Sequence, residues 1–321
     1  MRARVRDWPH HLYHYTNEEG VRGILSSHRI WAFSADSQKD KEEISHGCAL
    51  LADLIDKKTK LRPVSAFTGQ ILSQLRSLPK ERSHNIFLAS FCEKDDDRKL
   101  FNEFGPFSLH FEIKPPTRPF ISAPHGLATG QGFKTELLPA IYDRTEQIDW
   151  LNSLLDSLIE TLKDPSLIQQ SGASPWTAAL ARFVAVTISD QVLSLIARFK
   201  KEEFRKEAEW RIVARPDHTH FSSDVEETDR NCQCYIKTTA RRYVELSATE
   251  PQPRLIPGAA FGLPIPQLAL PISAIRIGPI GDGDEVATLV RQLLDEYLEG
   301  VSVFRSKFSS ARGASRREKS S

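Results

Sequence analysis

The chain has 321 residues, of which 40% are hydrophobic and 26% are charged, and its formal net charge is +1. These values are typical of a globular protein that is large enough to bury its own core. Because the net charge is near zero, any attraction to nucleic acid or to a membrane surface has to come from a local patch. The four cysteines are too few and too unevenly spaced for a disulfide scaffold, and we read no apolar run as a membrane helix of roughly 20 residues. These features predict a cytoplasmic protein.

The first segment with a clear pattern is "HLYHYTNEEGVRGILSSHRIWAFS", which begins at His11. "LYHY" places His14 on one side of a strand and Tyr13 and Tyr15 on the other. Thr16 precedes a glutamate by three residues, a capping-box pattern that predicts a short helix after the strand. "RIWAFS" is the next predicted strand. His14 therefore lies on a strand beside a helix start, where its ring either fills the core or lines a pocket for a small planar ligand.

The middle of the chain carries further predicted helices and strands. Apolar periodicity predicts helices over residues 43–57 and in "ILSQLRSL", and the apolar run "NIFLASF" predicts a central, buried strand. "SLHFEI" and "LLPAIYD" are predicted strands, the second at a sheet edge because of its proline. The glycine-containing stretch 120–136 is predicted to be a loop. Two long helices are predicted within residues 144–203.

The last third returns to strands and ends in a polar tail. We predict strands in "AEWRIVAR", "CYIKT", "YVELS", "AIRIGPI" and "VSVFR", with one helix before the last of them. The order is neither strict strand–helix alternation nor all strand, so the predicted fold class is α+β with a mixed, mostly antiparallel central sheet. We predict one domain over residues 11–305 with a helical insertion at about 144–203, an extension over 1–10 and a disordered tail over 306–321.

Carboxylates that could act in catalysis or in ligand binding occur in two segments. "QKDKEE" follows the second predicted strand, and it is either a solvated helix start or a source of ligand-binding carboxylates from Asp40 and Glu43. Later in the chain, Glu207, Glu209 and Arg211 are spaced by two and would point to one side if they all lie in the same strand. A carboxylate at the start of a central strand is a more specific sign of a functional site than a run of charged residues. A structural Glu–Arg ion pair is nevertheless the simpler interpretation.

A weaker constellation could bind zinc. "HTH" and "CQC" supply four ligands of the right type: His218, His220, Cys232 and Cys234. Structural zinc sites usually separate their cysteines by two or more residues, and only one residue intervenes here. The spacing therefore fits a structural zinc site poorly but does not exclude one, because residues two positions apart on a strand share a face.

Taken together, these stretches resemble a bacterial family known as domain of unknown function 2971 (DUF2971). The family pattern is matched by "LYHYT", "RGILSSHRIWAFS", "KDKEE", "ASFCEKDDDRKLFNEFG", "EAEWRIV", "AIRIGPI" and "SKFSSAR", which span residues 11 to 312. Two departures stand out. Lys39 and Lys41 replace the asparagine and the proline of the family's turn, and Phe101 and Phe104 replace its tryptophan and tyrosine.

The order of the motifs is also similar to that of the ADP-ribosyltransferase superfamily, whose members bind NAD in a cleft of a split sheet. That resemblance implies that His14 holds a ribose hydroxyl group of NAD, that Glu209 is the catalytic glutamate and that Glu207 helps to choose the acceptor. It also implies that NAD is the co-substrate and that no metal is required. Further NAD-binding residues under this resemblance are Tyr13, Tyr15, Arg22, Trp31, Ser34 and Arg211.

Three hypotheses about function follow. The first is an NAD-dependent ADP-ribosyltransferase that modifies a macromolecular acceptor, such as a toxin or phage-defence effector with an antitoxin or defence-system partner. The second is a metal-dependent nuclease or hydrolase whose ligands are His14, Asp40, Glu43 and Glu209, and it predicts activity that a chelator removes. The third is a non-enzymatic interaction domain, and it predicts that NAD does not stabilise the fold.

Overall fold

The computed structural model describes most of the chain, namely residues 9–27, 29–37, 42–61, 63–113, 121–122, 133–163, 175–216, 235–236, 242–248, 272–279, 288, 290–292, 294 and 301–308. In the described part of the chain, the α-helices with defined bounds are α1 (Glu18–Ser27), α2 (Glu42–Leu61), α3 (Ala66–Leu75), α4 (Leu78–Glu81), α5 (Arg98–Phe104), α6 (Arg144–Thr161) and α7 (Pro175–Ile196), and residues 288, 290–292 and 294 are also helical. Short 3₁₀ helices cover Ala35–Ser37, Ser83–Asn85 and Glu202–Glu207.

The strands are β1 (His11–Thr16), β2 (Arg29–Ser34), β3 (Phe87–Cys92), β4 (Phe107–Glu112), β5 (Ile121–Ser122), β6 (Phe133–Pro139), β7 (Glu209–Pro216), β8 (Tyr235–Ile236), β9 (Arg242–Ala248), β10 (Ile272–Ile277) and β11 (Ser302–Arg305). They form one sheet whose main path is β11-β10-β4-β1-β3-β2-β9-β5, with β7 on β3, β6 on β7 and β8 on β9. The β10–β11 pair is parallel, and the other described pairs are antiparallel. The predicted α+β class with a mixed, mostly antiparallel sheet is confirmed.

The sheet divides at β3. All six residues of β3 pair with β7 on one side. On the other side, Cys92 pairs with Tyr13 of β1, whereas Phe87 and Leu88 pair with β2. In the described part of the chain, residues 89–91 therefore have no ladder partner on this second side. β1 and β2 diverge there, and α1 connects them.

The sheet lies between two apolar layers. Alternate residues of β3 and β7 enter different cores, as expected for central strands with two buried faces. Phe91 and Trp210 belong to the core on the α1 side, and Leu88 and Val213 belong to the core that is shared with α2, α3, α6 and α7. The predicted central, buried strand around "NIFLASF" is therefore confirmed, with bounds Phe87–Cys92.

Several local expectations need correction in the helices. α1 begins at Glu18, one residue later than the capping-box pattern suggested, because Asn17 Oδ1 accepts the Gly20 N–H at 2.9 Å. The helix that was predicted through "ILSQLRSL" is two helices, α3 and α4. Pro79 lies in the first turn of α4, a position where proline is tolerated because its missing N–H is not needed.

Two predicted boundaries also shift. The stretch 120–136 was expected to be a loop, but it contains β5 and the first residues of β6. β6 pairs only with β7 among the described strands, in agreement with the predicted edge position. At the other end of the chain, Ser306 is buried and its hydroxyl donates to Asp96, so the ordered part extends beyond Arg305 into the region expected to be tail.

One described helix is long and apolar enough to cross a membrane, which differs from our reading of the sequence. The segment Thr177–Ile196 of α7 has a mean hydropathy of 1.5, and 56% of its most apolar part is buried inside the protein. A core helix of a soluble protein has the same properties. The segment packs against α3 and β7, and its inward side chains include Val192, Leu193 and Ile196.

Candidate functional site

A cavity of about 700 Å³ lies where β1 and β2 diverge from β3. Its walls include Leu88 to Cys92 of β3, the stretch that contains the residues without a ladder partner on that side. The volume is within the usual range for a small-molecule or cofactor site. Seven aromatic rings line the cavity besides His14: Tyr13, Tyr15, Trp31, Phe33, Phe91, Phe104 and Phe204.

Most of the residues that the sequence singled out meet at this cavity. Seven of the nine line it: Tyr13, His14, Tyr15, Trp31, Glu207, Glu209 and Arg211. They come from three separate parts of the chain, which the divergence of β1 and β2 from β3 brings together. Ser34 and Arg22 are the two that do not line it.

His14 is fixed by one hydrogen bond. Its Nδ1 lies 2.8 Å from the carbonyl oxygen of Ser90, and its ring packs against Phe91 with 5.4 Å between the ring centroids. Because a carbonyl oxygen can only accept, Nδ1 carries the proton, and Nε2 of the neutral ring is an acceptor. Burial lowers the pKa of His14 below its ordinary value of 6.5 and outweighs the opposing effect of the Ser90 hydrogen bond. The ring is therefore neutral at neutral pH and can offer Nε2 to a hydroxyl group.

The two tyrosines beside His14 support the wall of the cavity. Tyr15 donates its hydroxyl to the Lys94 carbonyl at 3.0 Å and accepts the Asp97 N–H at 3.0 Å, which anchors the loop between β3 and α5. Burial raises the pKa of Tyr15 well above its usual range. The ring of Tyr13 packs edge-on against His110 with 4.7 Å between centroids. The Tyr15 hydroxyl therefore holds a neighbouring loop in place, and both tyrosine rings are part of the cavity lining.

Glu209 is a buried carboxylate at the first position of β7. Arg211 donates to both of its oxygens, from Nε to Oε1 at 2.8 Å and from Nη2 to Oε2 at 3.2 Å, and Lys200 also donates to Oε2. Burial alone would raise the pKa of Glu209, but the two cations outweigh it and lower the pKa to about 2. The carboxylate is therefore ionised throughout the physiological range. Each carboxylate oxygen can accept about two hydrogen bonds, and among the described residues Oε1 receives only the one from Arg211.

Lys200 pairs with both Glu207 and Glu209, and no motif in the sequence singled out this residue. Its Nζ lies 2.6 Å from Glu207 Oε2, and it also contacts Glu209. Glu207 is at the end of the 3₁₀ helix and is not in β7, so the expected alternation of Glu207 with Glu209 along one strand is wrong. Ala208, in the left-handed region at φ 48°, turns the chain between the two glutamates.

Ser34 and Arg22 need correction as NAD-binding residues. Along β2 the partly exposed Trp31 and Phe33 alternate with the buried Ala32 and Ser34, so Ser34 faces away from the cavity. The Ser34 hydroxyl is held away from the cavity, within hydrogen-bonding distance of an Asp36 carboxylate oxygen and of the His84 carbonyl oxygen, either of which can accept its single proton. Arg22 lies on the outer side of α1, where its guanidinium pairs with Glu18 at 3.0 Å and its side chain is 49% exposed.

The indole ring of Trp31 packs on Gly23 of α1. A Cβ atom added at Gly23 would lie 2.2 Å from Trp31 Cη2 and 2.5 Å from Cζ2, so Gly23→Ala has to displace the ring. We expect a loss of stability of roughly 1–3 kcal/mol from this overpacking, together with a changed cavity wall. Urea unfolding measures the first effect. Gly69→Ala in α3 is the control, because its new Cβ would meet nothing closer than 3.8 Å, and it is expected to be neutral or to stabilise by about 0.5–1 kcal/mol.

Other predicted ligands cannot be located. Asp40, the side chain of Glu43 and the four possible zinc ligands lie outside the described residues. Of the ligand set in the metal-dependent hypothesis, His14 and Glu209 line the same cavity. Within the part of the chain that the structure describes, no three His, Cys, Asp or Glu side chains are grouped so that they could hold a metal ion.

Scans against protein-family models, curated proteins and solved structures each found no match. The resemblance to DUF2971 and to the ADP-ribosyltransferase superfamily therefore stays a prediction that rests on the sequence motifs.

Proposed function

We propose that the protein is an ADP-ribosyltransferase-like enzyme that uses NAD as its co-substrate and transfers the ADP-ribosyl group to a macromolecule. The observation that carries this proposal is the meeting of His14 and Glu209 at one aromatic cavity, where β1 and β2 diverge from β3. Their positions agree with the roles that the motif resemblance implies. The split of the sheet and the late glutamate at the start of a strand support the same assignment.

The lining suits the parts of an NAD molecule. Flat aromatic surfaces, such as those of Trp31 and Phe33, give a nicotinamide or adenine ring a stacking partner. His14 Nε2 can accept a hydrogen bond from a ribose hydroxyl group. Glu209 Oε1 can accept a hydrogen bond from a second ribose hydroxyl group, since Arg211 Nε occupies only one of its two acceptor positions.

The charge of Glu209 suits the bond cleavage. When the bond between the nicotinamide nitrogen and the ribose breaks, both electrons leave with nicotinamide and positive charge develops on the sugar. A fixed, ionised carboxylate that binds a ribose hydroxyl group stabilises that charge more in the transition state than in the ground state. The acceptor then forms a new bond at the same carbon with its lone pair and releases its proton to the solvent.

The proposal includes a cytoplasmic location and a partner. Intracellular NAD would supply the co-substrate, and the two described cysteines, Cys48 and Cys92, are free thiols, as is usual in a reducing compartment. An enzyme that modifies macromolecules inside its own cell needs control. An antitoxin or another component of a defence system is the kind of partner that would provide it.

Two substitutions of His14 test the proposal. In His14→Asn, the amide nitrogen can replace Nδ1 as the donor to the Ser90 carbonyl, but no group reaches the position of Nε2. In His14→Gln, the amide can reach the position of Nε2, but no group donates to the Ser90 carbonyl. We expect His14→Asn to remain folded and to lower the rate of label transfer from NAD by about 10²-fold, because the substrate hydroxyl group is no longer held. We expect His14→Gln to be less stable and to keep more of the transfer rate than His14→Asn.

The measurement is the transfer of radiolabel from NAD to bacterial lysate, followed by digestion with protease or nuclease to identify the acceptor class. Label that moves with the wild-type protein and not with His14→Asn supports the proposal. Equal transfer by both would show that His14 does not hold NAD. A lack of transfer by the wild type, with no rise in melting temperature on adding NAD, would favour an interaction domain instead.

A further inference from the structure

Lys200 occupies an unusual position between the two glutamates of the cavity. Its side chain is only 10% exposed, and its ammonium group is shared between Glu207 and Glu209. The same group lies 5.2 Å from the centroid of the Phe204 ring, which also lines the cavity. A buried ammonium group that contacts two carboxylates and an aromatic face has little freedom to move.

The backbone at Lys200 is held as firmly as its side chain. Its N–H donates to the Ile141 carbonyl at 3.0 Å, and its carbonyl accepts the side-chain amide of Gln147 at 3.1 Å. That amide also donates to the Ile141 carbonyl at 2.8 Å. Thus the start of α6 and the link between β6 and α6 fix the point from which the lysine reaches the cavity.

The charges explain why a cation is needed at this point. Glu207 and Glu209 lie on opposite sides of the single residue Ala208, and two carboxylates so close together repel each other. Arg211 contacts Glu209, and the largely exposed Lys99 contacts Glu207 at 3.3 Å. Of the described cations, Lys200 contacts both.

We propose that Lys200 is a positioning residue that holds the Glu207 and Glu209 carboxylates together, and that it thereby orients Glu209 toward the substrate hydroxyl group. The second part rests on the function proposed above. Lys200 itself donates to the protein's own carboxylates, so its effect on the reaction is indirect. It should therefore influence the rate of the bound substrate's reaction more than the binding of NAD.

Two substitutions at Lys200 and a matched control test this role. Lys200→Met removes the charge and keeps most of the apolar length, while Lys200→Arg keeps a donor for both carboxylates. Lys201→Met is the control, because the neighbouring Lys201 pairs with Glu42 at the surface, where both side chains are well exposed. We expect Lys200→Met to lower kcat by about 10²-fold with little change in KM, Lys200→Arg to recover part of kcat, and Lys201→Met to behave like the wild type.

A carboxyl titration by ¹³C NMR gives a readout that requires no turnover. In NAD-free protein, the titration midpoint of Glu209 should rise by about one pH unit or more in Lys200→Met and stay low in Lys200→Arg. The wild type offers a further check, because an ammonium group held in two ion pairs should show slowly exchanging Nζ protons. This second measurement keeps the proposal testable if Lys200→Met does not fold.

The outcomes separate this inference from the proposed function. A wild-type protein that never cleaves NAD would overturn the function, while the Glu209 titration would still decide whether Lys200 holds the two carboxylates. An unchanged Glu209 midpoint in folded Lys200→Met would overturn the positioning role, as would rapidly exchanging Nζ protons in the wild type. A fall in kcat in Lys201→Met equal to that in Lys200→Met would also contradict it.

Discussion

Glu209→Gln is expected to lower NAD turnover by at least about 10²-fold, since the neutral amide cannot stabilise the positive charge that develops on the ribose. It is also expected to lower the free energy of unfolding by about 3–5 kcal/mol, because Arg211 and Lys200 remain buried without their common counter-charge. From the sequence alone, Glu209→Gln would be expected to remove activity and leave the fold unaffected. The ion pairs show that both properties should change. Urea unfolding and initial rates of nicotinamide release measure the two effects.

The pH dependence of stability provides an independent check on Glu209. Its pKa is lowered in the folded protein, so its contribution to stability is complete above its ordinary value of 4.5 and disappears as the pH falls toward 2. We expect the melting temperature of Glu209→Gln to vary less than that of the wild type across this interval. Glu202→Gln is the control, because Glu202 pairs with Arg205 at the surface and does not line the cavity. Equal pH profiles for the wild type and Glu209→Gln would contradict the assignment.

Asp190→Ala is expected to have the largest effect on stability outside the cavity. Asp190 of α7 is fully buried, and Arg82 donates to it through Nε at 3.1 Å and Nη2 at 3.3 Å. Removing the carboxylate leaves a guanidinium group in a buried site, which should cost about 3–5 kcal/mol. Urea unfolding at neutral pH is the measurement.

A surface ion pair supplies the control for Asp190. Asp156 pairs with Lys58 at 2.7 Å, but half of the aspartate side chain is exposed. Asp156→Ala should therefore change the free energy of unfolding by no more than about 1 kcal/mol. A loss in Asp190→Ala as small as that in Asp156→Ala would show that the buried pair does not hold α7 against Arg82, the residue that follows α4.

Much of the fold could be predicted because periodicity reports burial directly. β2 shows this clearly, since its burial alternates residue by residue along "RIWAFS". The same alternation shows why Ser34 was a poor choice for the cavity. Because Trp31 faces the cavity, a side-chain period of two places Ser34 on the opposite face of the strand.

The predicted helix and strand boundaries were wrong where a single residue or a strand pairing changed the local conformational preference. Pro79 interrupts an apolar pattern that otherwise continues at helical spacing, and α4 begins beside it. The strand β6 begins within a stretch whose glycines suggested a loop. Its pairing with β7 supplies hydrogen bonds that local sequence does not encode.

The candidate site was predictable in part. His14 and Glu209 carried signals, since each lies in a strand with a recognisable motif. Lys200 carried none, because it reaches the cavity from the segment after α7 and its position depends on contacts with Ile141 and Gln147. Contacts of that kind depend on tertiary packing, and no spacing rule in one sequence reveals them.

The most direct test of the central claim is calorimetric titration of the purified protein with NAD, because it requires neither an acceptor nor turnover. If the cavity binds NAD, the wild type should show saturable binding to one site, and His14→Asn should bind at least about tenfold more weakly through loss of one hydrogen bond to the substrate. No measurable binding by folded wild-type protein at NAD concentrations up to about 1 mM would contradict the proposal. Equal affinities of the wild type and folded His14→Asn would show that NAD binds elsewhere.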